Sequence, residues 1–111
     1  MELAQPLSCL LVLITAGSEE EAMKIGRALV DRQLAACANV VSGVQSIFHW
    51  EGKVTEEKEV LLLVKSRHEL FDEIEKAVKA LHSYEVPEII GIEIGKGSKT
   101  YLDWIRTSTV K

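Results

Sequence analysis

Residues Ala36–Ser66, ACANVVSGVQSIFHWEGKVTEEKEVLLLVKS, read as two long β-strands joined by one tight turn at Glu51-Gly52-Lys53. In Val44–Trp50, Val44, Phe48 and Trp50 share one parity and Gln45 and His49 the other, the alternation of a strand with one buried face. Ile47 breaks the alternation, so the second face is not purely polar. The return strand begins polar (Thr55-Glu-Glu-Lys-Glu59) and ends as Val60-Leu-Leu-Leu-Val64, an apolar run that suits a strand inside a sheet.

The length of this hairpin carries information. Each arm holds about a dozen residues, against about 5–6 in a usual strand. At about 3.3 Å per residue an arm extends roughly 40 Å, whereas a domain of this size has a radius of gyration of about 13 Å. The turn end is therefore expected to project beyond the subunit's own core. A projecting ribbon that carries Phe48 and Trp50 leaves apolar surface and strand edges in water, so a further copy of the chain is expected to cover it. The competing expectation is a strand broken at Ser42-Gly43 into two short pieces that fold back.

On the N-terminal side, Leu7–Thr15 is almost continuously apolar and reads as a central strand. Ala16-Gly17 leads into a helix, with Ser18 and Glu21 as a capping box and Glu19 and Glu20 adding favourable charge at the helix start. That helix is expected to reach about Leu34, with Ala22, Ile25, Gly26, Leu29 and Gln33 along its apolar stripe and Gly26 allowing close approach to the sheet. On the C-terminal side, Ser66-Arg-His-Glu69 repeats the capping-box pattern and predicts a second helix over about His68–His82, with Leu70, Phe71, Ile74, Ala77, Val78 and Leu81 inward. Pro87 holds Val86 extended in an irregular segment. A fourth strand follows over Glu88–Gly95, with Ile90, Ile92 and Ile94 on one face. Ser98 caps a short last helix to about Thr107, with Leu102 and Ile105, or Tyr101 and Trp104, inward. The order β-α-β-β-α-β plus a C-terminal helix is an α+β fold, a split-βαβ, ferredoxin-like sandwich. It forms one domain over residues 7–111 after a tail at 1–6.

Apolar content of 47% with 27% charged residues is ordinary for a globular domain of 111 residues. A net charge of −4 with no Lys/Arg cluster argues against nucleic acid as a partner. Two cysteines, Cys9 and Cys37, are no disulfide framework and read as buried thiols. Leu7–Ala16 is too short to span a membrane and lacks the flanks of a signal segment, so cytoplasm is the expected location and no membrane partner is expected.

Catalytic patterns are absent: no Gly-rich phosphate loop, no Gly-x-Ser-x-Gly elbow and no His-Glu-x-x-His. An enzyme is not expected. Of the three histidines, His49 lies near the hairpin tip, His68 in the first turn of the second helix, and His82 at that helix's C-terminal end, where the helix dipole favours a protonated imidazole. His82 with Cys37 is also a candidate ligand pair for copper or another divalent cation, since imidazole and thiolate suit soft or borderline metals. Asn39 is polar in an apolar strand and faces either backbone or a pocket. Lys65 follows Val60–Val64 directly; it either snorkels outward or stands as a fixed positive charge for a small anion such as a carboxylate. Tyr84, Glu85 and Glu88 flank Pro87, where packing and ion pairing are the ordinary roles.

Five segments together resemble the CutA-type divalent-cation tolerance family: Leu34-Ala-Ala-Cys-Ala-Asn39, Phe48-His-Trp-Glu-Gly-Lys53, Glu59-Val-Leu-Leu-Leu-Val-Lys65, His82-Ser-Tyr-Glu-Val-Pro-Glu-Ile89 and Tyr101-Leu-Asp-Trp104. The resemblance implies a tight homotrimer, similar in architecture to PII signalling proteins, with ligand clefts between subunits. It implies a cleft here lined by Cys37, Asn39, Trp50, Lys65, Tyr84 and Glu88, and a role in metal tolerance. The chain departs from the family's copper-binding pattern: Ile14 stands where some members carry a cysteine, Leu81 precedes His82 in place of a second histidine, and Ser83 replaces a proline. Three functions follow as expectations: weak cation binding through His82 and Cys37, a PII-like module sensing a small anion at Lys65, or a structural trimer.

Overall fold

The computed structural model describes residues 8–110. The expected tail at 1–6, Leu7 of the expected first strand, and Lys111 lie outside the described residues. The elements run β1 (Cys9–Ala16), α1 (Glu19–Asp31), β2 (Cys37–Trp50), β3 (Lys53–Arg67), a short 3-10 turn (His68–Leu70), α2 (Phe71–Leu81), β4 (Ile89–Glu93) and α3 (Lys99–Thr107). The four strands form one antiparallel sheet in the order β2-β3-β1-β4. A small α+β fold with three helices is what the apolar patterns foretold.

One face of the sheet carries the core. Leu10, Val12 and Ile14 of β1 and Val60, Leu62 and Val64 of β3 pack with Ala22, Ile25 and Leu29 of α1 and Ile74, Ala77 and Val78 of α2. Gly26 lies where α1 meets the sheet: a Cβ there would stand 3.2 Å from Ala38 Cβ and 3.3 Å from a Leu62 methyl. The helix can approach this closely because that position has no side chain.

The hairpin is continuous from Cys37↔Lys65 to Trp50↔Lys53. Its turn residues Glu51 and Gly52 both have positive φ, at 51° and 81°, the signature of the two-residue type I′ connection. At Ser42-Gly43 the ladder shifts between Val41↔Leu61 and Val44↔Glu59. Three steps on β2 match two on β3, so β2 carries one extra residue, a β-bulge with Gly43 at φ 84°. The expected alternative of a broken, folded-back strand is not what forms. The bulge inverts the alternation of β2, so that Cys37 and Asn39 before it and Phe48 and Trp50 after it all oppose odd-numbered β3 residues and share a face.

β1 pairs with β3 only from Val60 to Arg67. Residues Val44–Trp50 and Lys53–Glu59 therefore extend past the sheet as a two-stranded ribbon, roughly 20 Å long, and the molecule measures 46 × 32 × 24 Å. Ile47 (69% exposed), Val54 (66%) and Trp50 (41%) are uncovered on it.

Three local expectations are corrected. Helix α1 ends at Asp31, and Gln33 leaves the stripe at φ 59°, exposed. Ser66 does not cap the second helix: β3 continues through Arg67, Ser66 points into the core, and its hydroxyl donates to the Leu34 carbonyl at 2.5 Å. The second α-helix accordingly starts at Phe71, after a 3-10 turn with no side-chain cap, and ends at Leu81. The other caps form as expected, Ser18 Oγ accepting from the Glu21 amide at 3.1 Å and Ser98 Oγ from the Tyr101 amide at 3.3 Å. In α3, Ile105 is buried and Leu102 partly so, while Tyr101 and Trp104 remain on the surface.

Candidate functional site

The second face of the sheet is only partly covered. α3 closes one end of it, where Cys9 donates to the Leu102 carbonyl across 3.7 Å and Arg67 donates to Thr109 Oγ1 at 2.8 Å. Burial pushes the Cys9 thiol up, the state of an unreactive structural cysteine. Away from α3, the cross-strand register places Leu11 and Leu13 beside Leu63 and Lys65 on one side and Ile90 and Ile92 on the other. Ile90 and Ile92 are 48% and 45% exposed. Ile90 and Ile92, expected to share one face of the fourth strand, do so, and that face is the open one; β4 is shorter than the expected Glu88–Gly95, and Ile94 lies beyond its end.

Three of the six expected cleft residues meet on this face. Lys65 lies directly opposite Cys37 on β2 and Leu11 on β1. The Lys65 ammonium donates to Asn39 Oδ1, and the Cys37 thiol donates to the same oxygen across 3.7 Å. Among the described residues no carboxylate lies within ion-pair distance of Lys65. An ammonium has three donor positions, and its one protein partner here is a neutral amide oxygen.

Tyr84 belongs to a second constellation at the other end of the core. Its ring covers Gly17, its hydroxyl donates to Glu59 at 2.8 Å, and its amide donates to His82 Nδ1 at 3.0 Å. Burial, then the Glu59 carboxylate at its hydroxyl, hold the Tyr84 phenol well above its ordinary value. Glu21 reaches across from α1, accepting from the Ser83 amide at 2.6 Å and the Ser83 hydroxyl at 3.0 Å. Burial raises the Glu21 carboxyl, but these two donors outweigh it and leave the carboxyl below its ordinary value. The His82 side chain is 0% exposed, with Nε2 2.6 Å from the Thr15 carbonyl. Since Nδ1 accepts from Tyr84, Nε2 is the nitrogen that donates to Thr15.

The His82–Cys37 metal pair does not form within one chain. Thr15, which holds His82, pairs with Leu61; Cys37 pairs with Lys65. The two sites are four β3 positions apart, about 13 Å along the strand, and both His82 nitrogens already have partners. Among the described residues no three His, Cys, Asp or Glu side chains gather as a metal would need. The residues present do not fit a copper or divalent-cation centre inside a single subunit. His49 is exposed at the hairpin tip opposite Val54. His68 is tied to Glu93 at 2.5 Å beside a groove of about 410 Å³.

Trp50 and Glu88 stand apart from Lys65 as well. Trp50 opposes Lys53 at the tip, twelve β3 positions from Lys65 and about 40 Å away along the ribbon. Glu88 is exposed just before β4. A single chain thus brings together three of the six residues and leaves Trp50, Tyr84 and Glu88 apart from them. The partnerships Tyr84–Glu59, Ser83–Glu21 and Lys65–Asn39 leave no mark in a sequence read alone, because each links residues far apart in the chain.

Comparison with known proteins agrees with this architecture. A protein 51% identical over 98 residues, the divalent-cation tolerance protein CutA of Thermus thermophilus, matches across 88% of this chain and 95% of its own length. The chloroplastic protein CutA of Arabidopsis thaliana is 38% identical over 97% of this chain, which spans 59% of that longer relative. The solved structure of the Thermus thermophilus divalent cation tolerance protein superimposes with a TM-score of 0.90 at 49% identity, covering 92% of this chain and 99% of that one. The model of the CutA1 divalent ion tolerance protein family matches residues 10–108, and the chain belongs to that family.

Proposed function

We propose that this chain acts in divalent-cation tolerance as a cytoplasmic, non-enzymatic homotrimer of ferredoxin-like subunits, and that it does so by sensing a small anion in the seams between copies. The observation that carries this reading is Lys65, a cation on an open, largely apolar sheet face whose one protein partner is neutral Asn39. A concave site with apolar walls and a few fixed polar groups is what a small ligand requires. The strand order β2-β3-β1-β4 supports the ferredoxin-like assignment. The uncovered ribbon and the open face supply the surface that sister copies would bury. Packing of that kind, as in PII-type trimers, would carry Trp50, Tyr84 and Glu88 of one copy toward Cys37, Asn39 and Lys65 of another.

Direct cation binding through Cys37 and His82 is the weaker reading, because His82 would have to release Thr15 or Tyr84 to coordinate. Copper titrated into wild type and His82→Ala tests it, and identical isotherms remove His82 as a ligand. For the anion reading, thermal shift is measured with a panel of small anions on wild type and Lys65→Ala. A ligand that stabilises wild type and not the variant supports it. Stabilisation of neither protein by any anion leaves a purely structural trimer.

A further inference from the structure

We propose, resting on the anion-binding reading above, that the ligand class is a small monocarboxylate with an apolar body, and not a phosphate or a nucleotide. Charge decides the head group. Lys65 is a single ammonium, and its register neighbours on the same face are Leu11, Leu63, Cys37 and Asn39, none of them cationic. Phosphoryl groups carry more charge and are held by bidentate arginine forks, clustered cations or amide-rich loops. The nearest arginine on this face, Arg67, is turned inward: Nε donates to Thr109 and Nη1 pairs with Glu69 at 2.7 Å, while Nη2, which has no partner among the described residues, is itself buried, and the side chain is only 10% exposed. One ammonium with two free donor positions matches one carboxylate of unit charge.

The surroundings decide the rest of the molecule. Directly opposite Lys65, Leu11 presents a partly buried aliphatic side chain, flanked by Leu63 along β3 and by Ile92 across β4. Facing residues on adjacent strands stand about 5 Å apart, so a carboxylate on Lys65 Nζ lays its carbon skeleton against Leu11 and Leu63. Asn39 keeps its amide NH₂ free to donate to a second carboxylate oxygen, because its oxygen is the atom that accepts from Lys65 and Cys37.

The test uses the full chain at fixed concentration and fixed ionic strength. Acetate, butyrate and hexanoate are titrated by isothermal calorimetry against wild type, Lys65→Met and Leu11→Ser, with inorganic phosphate and ATP as comparators. The expected result is affinity rising up to about fourfold per added methylene, loss of binding in Lys65→Met, and a flattened chain-length dependence in Leu11→Ser. Circular dichroism confirms that each variant is folded, and Lys65→Arg, which keeps the charge, retains roughly a tenth or more of the wild-type hexanoate affinity. Affinity independent of chain length, or phosphate or ATP binding more tightly than hexanoate, overturns the inference while leaving an anion site. Absence of binding by every anion overturns the functional reading itself.

Discussion

Ser66→Ala separates two roles for one hydroxyl. The pattern Ser66-Arg-His-Glu69 suggests a helix cap, but Ser66 is fully buried and donates to the Leu34 carbonyl, joining the end of β3 to the connection between α1 and β2. Removal of the hydroxyl forfeits a net hydrogen bond, about 1 kcal/mol, and leaves the Leu34 carbonyl short of a donor in the interior, about 1–3 kcal/mol. A total of about 2–4 kcal/mol, with a urea slope of about 2 kcal/mol/M, lowers the unfolding midpoint by about 1–2 M. Protein concentration must be held constant, since the proposed assembly would contribute to apparent stability. Hydrogen exchange then locates the damage: faster exchange is expected at Leu34, Ala35 and Ala36, with the first turn of α2 little changed. An unchanged midpoint, or exchange accelerated only over Leu70–Glu73, would refute the buried-tether assignment and restore the cap.

Other substitutions probe the remaining elements. Glu21 has a carboxyl held below its ordinary value in the folded state, so its contribution is complete above the unfolded value near 4.5 and fades as pH falls through the lower folded one. Glu21→Gln is expected to remove about 1–2 kcal/mol at pH 7 and to flatten the stability loss as pH falls below about 5; a variant with the parent's acid limb contradicts this. Gly26→Val, driven into Ala38 and Leu62, is expected to cost about 1–3 kcal/mol by thermal unfolding, and a raised melting temperature counts against the close approach. Trp50→Ala should weaken assembly in sedimentation while far-UV circular dichroism at saturating concentration stays that of the parent; a sedimentation profile identical to wild type removes the hairpin tip from the interface.

The parts of the fold that obey short-range periodicity are legible in the sequence itself. The apolar runs at Leu10–Ile14 and Val60–Val64, the α1 stripe through Ala22, Ile25 and Leu29, and the turn at Glu51-Gly52 each declare themselves within one window of residues. Ser66 misleads because a Ser-x-x-Glu pattern looks the same whether the serine lies at a helix start or at the inward-facing end of a strand; burial by α1 and the Leu34 carbonyl make the choice. Gln33 misleads because a positive φ just after a helix ends it, whatever the stripe requires. Of the candidate site, Asn39 and Lys65 are legible as unusual polar groups in apolar strands; Cys37 reads as a buried thiol but is only partly buried, and cross-strand register brings the three together. His82 stands out for titration or coordination, but its nitrogens serve Thr15 and Tyr84, partners that only the packed loop reveals.

The surplus residue at Ser42-Gly43 works as an elbow between two alignments that are fixed separately. The core holds Cys37 against Lys65, the turn holds Trp50 against Lys53, and the elbow absorbs the one-residue mismatch between them. Deleting Ser42 would keep both alignments, so Phe48 and Trp50 would stay on the side of Lys65, but the bend and extra twist that a bulge imparts would be lost. The direction in which the arm reaches can therefore be altered without changing any side chain at its end, which makes residues 42 and 43 the place to re-aim this arm at a differently shaped neighbour.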